Sequence, residues 1–242
     1  VSDVPYLREK VSAVVEKAGF KDASHDKKAL RHILEKYPRD ELFQIDDDNL
    51  FDTALNILRL QERQRIALFL RPDVFGRSIS CLVYIPRDRF ETKLRQRIGN
   101  ILEQELGGNC YSFNTSLDDS VFARVMFMIQ IDQDSHDQYD VRAIEKKLQE
   151  AGQTWGELIS VALHEELDDE ARITDLTLKY ADAFPVGYTL RYKARQGVYD
   201  ILKIEEVIKT ERINLDFYQS DDLDENQFRL KLYSFGSPIV LS

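Results

Sequence analysis

Along residues 4–18 the apolar positions Leu7, Val11, Val14, Val15 and Ala18 recur at the spacing of one face of an α-helix, and Gly19 closes it. Ser24 supplies an N-cap for a second helix, whose face is Leu30, Ile33, Leu34 and Tyr37 and which Pro38 stops. The acidic trio Asp46–Asp48 suits the start of a third, which presents Leu50, Phe51, Ala54, Leu55 and Leu58 and runs to about Arg63. Three short helices are therefore expected before the pattern changes.

The period then becomes two. In RIALFL, Ile66, Leu68 and Leu70 alternate with Ala67 and Phe69. In SISCLVYI, Ile79, Cys81, Val83 and Ile85 form one face and Leu82 and Tyr84 the other. Phe75-Gly76-Arg77 between them reads as a hairpin turn. Residues 91–106 return to helical spacing through Leu94, Ile98, Ile101 and Leu102 and end at Gly107-Gly108. Strands are predicted at 109–117 and 123–131, the second with Ala123, Val125, Phe127, Ile129 and Ile131 on one face. Val141, Ile144, Leu148, Trp155, Ile159 and Ala162 then mark one long helix or two consecutive ones.

Across 65–165 the order is strand, strand, helix, strand, strand, helix. That is the ferredoxin-like βαββαβ sandwich with its last strand moved to the front, a plan shared by ACT-type modules and other α+β sandwiches. The fold class expected is α+β: a ferredoxin-like or ACT-type sandwich of permuted strand order, flanked by helical segments. The predicted divisions are a helical segment 1–63, an α+β domain 64–165, a helical segment 166–227 and, over 228–242, the start of a further β-containing module. The second helical segment carries Leu176, Tyr180 and Phe184 before Pro185, then Ile201, Ile204, Val207, Ile208 and Ile213 after Gly197. The closing FRLKLYSFGSPIVLS holds a strand-like run at 228–233, a turn around Gly236–Pro238 and an apolar run reaching the last residue. With Val1 as the first residue, it reads as a piece of a longer polypeptide.

Composition narrows the functional classes. The chain has 242 residues, 43% hydrophobic and 31% charged, with a formal charge of −10, which suits a soluble globular protein and repels phosphate backbones. Nucleic acid is an unfavourable partner. No apolar run approaches the roughly 20 residues of a membrane span, and no signal peptide is visible, so a cytoplasmic location without membrane partners is expected. No Gly-rich phosphate loop occurs, so no cofactor is expected in this chain. Cys81 and Cys110 read as small buried hydrophobes, and His25, His32, His136 and His164 as surface residues. DQDSHD (132–137) lacks the Gly and terminal Glu of a calcium loop, and DDLDE (221–225) reads as a solvated loop, so no metal ligands are assigned. No nucleophile motif stands out, and no catalytic residue is assigned.

One stretch, RPDVFGRSISCLVYIPRDRF (71–90), places Arg71, Arg77, Arg87 and Arg89 around a single strand. Arg71 closes the preceding strand and Arg77 sits in the turn. Pro86 ends the next strand, and Asp88 is placed to cap the following helix. Arg87 and Arg89 would stand near that helix N-terminus, where an anionic effector can bind. Arg71, Arg77, Arg87, Asp88 and Arg89 are the candidate residues, as contacts to other parts of the polypeptide first and an effector site second.

The same residues carry a family likeness. LQERQRIALFLRPDVFGRSISCLVYIPRDRFETKLRQRI (60–98), KYPRDELFQI (36–45) and YADAFPVGYTLRY (180–192) resemble, in that order, the N-terminal regulatory part of bacterial large-subunit NAD-specific glutamate dehydrogenases. The resemblance implies a parent enzyme that uses NAD to deaminate L-glutamate to 2-oxoglutarate and ammonia, with its catalytic domain downstream. It further implies an ACT-like module, contacts to other domains of the same polypeptide and a homo-oligomeric parent. ACT modules of this kind often bind an amino-acid effector at the loop after a first strand, here Pro86–Phe90, which carries no glycine for close backbone approach. The reading that follows is a non-catalytic regulatory and assembly segment, with an amino-acid sensor as its rival.

Overall fold

Among the described residues, four helices rather than three precede the first strand: α1 (Pro5–Lys17), α2 (His25–Lys36), α3 (Arg39–Gln44) and α4 (Asp47–Leu60). Ser24 caps α2 as expected, its hydroxyl accepting from the Lys27 N–H at 3.2 Å. Pro38 stops α2 but also begins α3. A missing N–H costs nothing at a helix start, and Asp40 and Glu41 fill the favourable first turn. The computed structural model describes residues 1, 3–22, 24–60, 62–131, 139–218 and 228–236. The chain divides into two compact units, residues 1–152 and 153–242.

The first unit continues with β1 (Ala67–Pro72), β2 (Ser78–Pro86), α5 (Thr92–Leu106), β3 (Gly108–Ser116), β4 (Phe122–Ile131) and α6 (Val141–Ala151). The strands form one sheet in the order β1-β2-β4-β3, with every neighbouring pair antiparallel. This is the order a βαββαβ sandwich acquires when its last strand leads: β2 and β4 hold the centre and β1 takes an edge. The β1–β2 turn closes through Asp73 N–H to the Ser78 carbonyl (2.8 Å) and Gly76 N–H to that of Asp73 (2.9 Å). The glycine pair after α5 has two separate causes. Gly107 ends the helix at φ 64°, and a Cβ on Gly108 would stand 2.2 Å from the Gln130 carbonyl oxygen.

Both faces of this sheet are packed. Ile79, Cys81, Val83 and Ile85 of β2, with Val125, Phe127 and Ile129 of β4, meet Leu94, Ile98 and Leu102 of α5 and Ile144 and Leu148 of α6. The opposite face, through Ala67, Leu82, Tyr84 and Phe122, joins a core built with Leu7, Leu30, Leu34, Leu50 and Ile57 of the first helices. The alternation read from SISCLVYI thus separates two cores, one on each side of β2. The unit is a three-layer arrangement of helices, sheet and helices.

The second unit contains α7 (Trp155–Glu166), α8 (Glu170–Tyr180), α9 (Val186–Arg191), α10 (Ala194–Thr210) and a hairpin of β5 (Asn214–Tyr218) and β6 (Arg229–Tyr233). Ile159, Leu163, Ile173, Leu176, Val198 and Ile201 form its core. A capping box between Thr154 and Glu157 opens α7. The helical spacing that reaches Ile213 overruns α10, which ends at Glu211 with φ 55°; NLDFY then alternates as a strand. The strand-like run at 228–233 is β6. The segments DQDSHD and DDLDE and the last apolar run lie outside the described residues.

Leu82 is 3% exposed and packs on the helical side of the sheet. Leu82→Ala is expected to lower stability by about 2–5 kcal/mol, read from the urea midpoint. A loss below about 1 kcal/mol would mean that the first helices do not close over this face.

Candidate functional site

The candidate arginines do not form one cluster. Arg71 and Arg77 stand at the hairpin end of β1 and β2, whereas Arg87 and Arg89 follow the far end of β2, nine residues long. At about 3.3 Å per residue this separates the two groups by roughly 30 Å.

At the hairpin end, Arg71 grips α3. Its Nε donates to Glu41 Oε2 at 2.7 Å and its Nη2 to Glu41 Oε1 at 2.8 Å, a bidentate pair, and Nη2 also reaches Gln44 Oε1 at 2.9 Å. Glu41 is only 4% exposed, so this carboxylate depends on the guanidinium for its charge balance. The hydrogen bonds that Arg71 donates to Glu41 in turn hold Arg71 above its usual pKa. Neither Glu41 nor Gln44 was singled out from the sequence. Arg77 stays in the turn, its guanidinium 4.8 Å from the Phe75 ring centroid and 4.0 Å from Asp73.

At the other end, Arg87 ties the β3–β4 loop. Its N–H donates to the Val121 carbonyl at 2.9 Å, and its Nη1 donates to the Asp118 carbonyl. Asp88 does not cap α5. A 3₁₀ turn over Arg87–Arg89, closed by Phe90 N–H to the Arg87 carbonyl at 3.3 Å, delays the helix to Thr92. Glu91 then occupies the N-cap position without a side-chain hydrogen bond, and Asp88 is left exposed. Arg89 lies half-buried in the same turn.

Between α2, α4 and the sheet, near Asp118, lies a cavity of about 50 Å³ lined by residues that include His32, Lys36, Tyr84, Asp118 and Arg124. Arg124 Nη1 donates to the Lys36 carbonyl, a second polar tie between the sheet and the helices. Burial pushes the Tyr84 hydroxyl up to about 12, against the opposing pull of Arg124. The volume holds a water or two and no larger ligand.

Other chemistry is sparse among the described residues. No three His, Cys, Asp or Glu side chains gather as a metal ion needs. Cys81 and Cys110 are free thiols, and burial raises the pKa of both. His25, His32 and His164 are exposed. No helix is long and apolar enough to cross a membrane.

Arg71→Ala is expected to cost about 2–3 kcal/mol in urea unfolding, between the worth of a charged hydrogen bond and that of a fully stranded buried charge. A loss within about 0.5 kcal/mol would make the pair an ordinary surface bridge. Tyr84 also predicts a pH dependence. Its folded pKa is raised to about 12. The unfolded value is about 10, so the folded state binds the proton more tightly and stability falls as pH rises from about 10 to about 12. Tyr84→Phe should lessen that fall, measured by urea midpoints across the range, while tyrosines raised by burial elsewhere keep part of it.

Three family models match the chain in succession. They are the glutamate dehydrogenase helical motif 1 at residues 4–63, the glutamate dehydrogenase ACT2 domain at 67–156 and the glutamate dehydrogenase helical motif 2 at 162–207. The NAD-specific glutamate dehydrogenase of Halomonas elongata is 39% identical over 99% of this chain and 15% of its own length. That of Pseudomonas aeruginosa is 36% identical over 100% of the chain and 15% of its own length. That of Mycobacterium tuberculosis is 28% identical over 92% of the chain and 14% of its own length. The chain thus spans about 15% of the first two relatives.

Proposed function

Because the chain belongs to the glutamate dehydrogenase family, as an ACT2 domain between helical motifs 1 and 2, we propose that it is a non-catalytic assembly and regulatory segment of an NAD-dependent glutamate dehydrogenase. The parent reaction in this reading converts L-glutamate, NAD and water to 2-oxoglutarate, ammonia and NADH, in the cytoplasm. NAD and the reacting groups belong to other domains of the same polypeptide. The working divisions are the helical segment 1–63, the ACT-like domain 64–165, the helical segment 166–227 and a further β-containing module from 228.

One observation carries the assembly role. The sheet is packed on both faces, and the cavity beside Tyr84 and Asp118 is about 50 Å³, well below the roughly 300 Å³ at which ligand pockets begin. Arg71 and Arg87 are committed to Glu41 and Asp118, as contacts within the polypeptide would require. Two exposed surfaces suit further contacts of the parent. β3 is an edge strand with Tyr111 and Phe113 exposed, where a second copy could pair. The β5–β6 hairpin turns Leu215, Phe217, Leu230 and Leu232 outward, as a sheet awaiting more of the same polypeptide would.

The rival reading, an amino-acid sensor at Pro86–Phe90, makes a different prediction. The assembly reading predicts that a thermal-shift series with the common amino acids gives no saturable rise in Tm. A saturable rise from one amino acid, abolished by Arg87→Ala or Arg89→Ala, would replace the assembly reading with the sensor.

A further inference from the structure

In the first unit an open groove of about 1140 Å³ is lined by the end of α4, the edge strand β1 and α6. Arg59 lies in the last turn of α4, Arg63 and Arg65 follow that helix, and Arg142 and Lys146 belong to α6. Against these five cations stand two lining carboxylates, Glu62 and Glu145. The chain as a whole carries a formal charge of −10, so the groove reverses the sign of the molecule around it.

Neutralisation within the groove is partial. Glu145 Oε1 accepts from Arg65 Nη1 at 2.8 Å and from Gln149 Nε2 at 2.9 Å, and its Oε2 faces the Leu68 N–H at 3.5 Å. Lys146 stands 3.9 Å from Glu150 with both side chains largely exposed, a bridge of little worth. Among the described residues, Arg59, Arg63 and Arg142 make no ion pair. Arg142 moreover lies in the first turn of α6, where the helix dipole disfavours a cation and favours an anion beside it.

Three features decide the kind of partner. The volume exceeds the roughly 300–1,000 Å³ of small-molecule sites, and all five cations are exposed rather than buried around one point. The backbone of β1 is already covered here: Gln149 Nε2 donates to the Ile66 carbonyl at 3.0 Å, Glu145 takes the Leu68 N–H, and Pro72 has none to offer. Strand addition at this edge is thereby blocked, and recognition falls to side-chain charge. Finally, Arg142 and Lys146 are about 6 Å apart along α6, while alternate side chains of an extended chain repeat at about 6.5 Å. Carboxylates at every second residue of an extended segment keep step with that pair. A nucleic-acid backbone would meet the same cations, but the net charge of the rest of the chain repels so long a polyanion.

We propose that this groove docks an extended, Asp/Glu-rich polypeptide segment, held by Arg59 and Arg63 on one side and by Arg142 and Lys146 on the other. The inference goes beyond the assembly role and depends on the first unit alone.

The test is fluorescence polarisation of the 242-residue chain with a fluorescein-labelled peptide of alternating Glu and Ser, about ten residues long. Saturable binding of one peptide per chain is expected, weakened at least about tenfold when salt is raised from about 0.05 to about 0.5 M. A loss of at least about tenfold is also expected in the Arg59→Gln/Arg63→Gln and Arg142→Gln/Lys146→Gln double variants, with urea midpoints unchanged. Lys28→Gln/Arg31→Gln, which removes the same charge from the exposed side of α2, should bind as the parent chain does. Absence of saturable binding, or equal loss in the α2 variant, would overturn the proposal. So would equally tight binding of the alternating Gln and Ser peptide or of a single-stranded oligothymidylate of the same length. Displacement of the peptide by pyrophosphate at constant ionic strength would make the groove a small-anion site and would also overturn it.

Discussion

A four-stranded antiparallel sheet has two faces, and α5 and α6 cover only one of them. The other carries Leu82, Tyr84 and Phe122, each under 8% exposed, and these would face water if α1–α4 were removed. Each large apolar side chain is worth about 1.5–3 kcal/mol when buried, so those three together outweigh the polar ties around them. Covering that second face is the constraint on which the first unit rests. The Arg71–Glu41 pair is smaller in energy but directional. A bidentate fork fixes where α3 sits on β1, a positional role that apolar contact alone does not perform.

This arrangement bears on function through what it leaves no room for. An ACT-like loop that binds a small molecule needs space beside the strand end. Here Arg87 spends its hydrogen bonds on the β3–β4 loop, and the cavity lined by Asp118 is water-sized.

Much of the fold was legible because side-chain period reports burial directly. The two faces of SISCLVYI became two separate cores, and the strand–helix order anticipated the sheet order with its displaced edge strand. What escaped has identifiable causes. The six residues of α3 are too few to display a helical period, and Pro38 read as a stop alone. Asp88 looked like a cap because the 3₁₀ turn that moves the helix start is set by tertiary hydrogen bonds to Asp118 and Val121. Glu41 and Arg124 gave no local signal, since their partners lie 30 and 88 positions away. The family likeness in YPRDELFQI covered Glu41 without indicating its role.

Native-state hydrogen exchange tests the central claim most directly. If helices α1–α4 are an integral layer, the slowest amides of α4, such as Ala54 and Ile57, should open with the same free energy as Leu82 and Val83 at the centre of β2. Exchange of the α4 amides through a distinctly smaller opening, while β2 stays protected, would contradict it and make the helices a detachable appendage to a sheet that is stable without them.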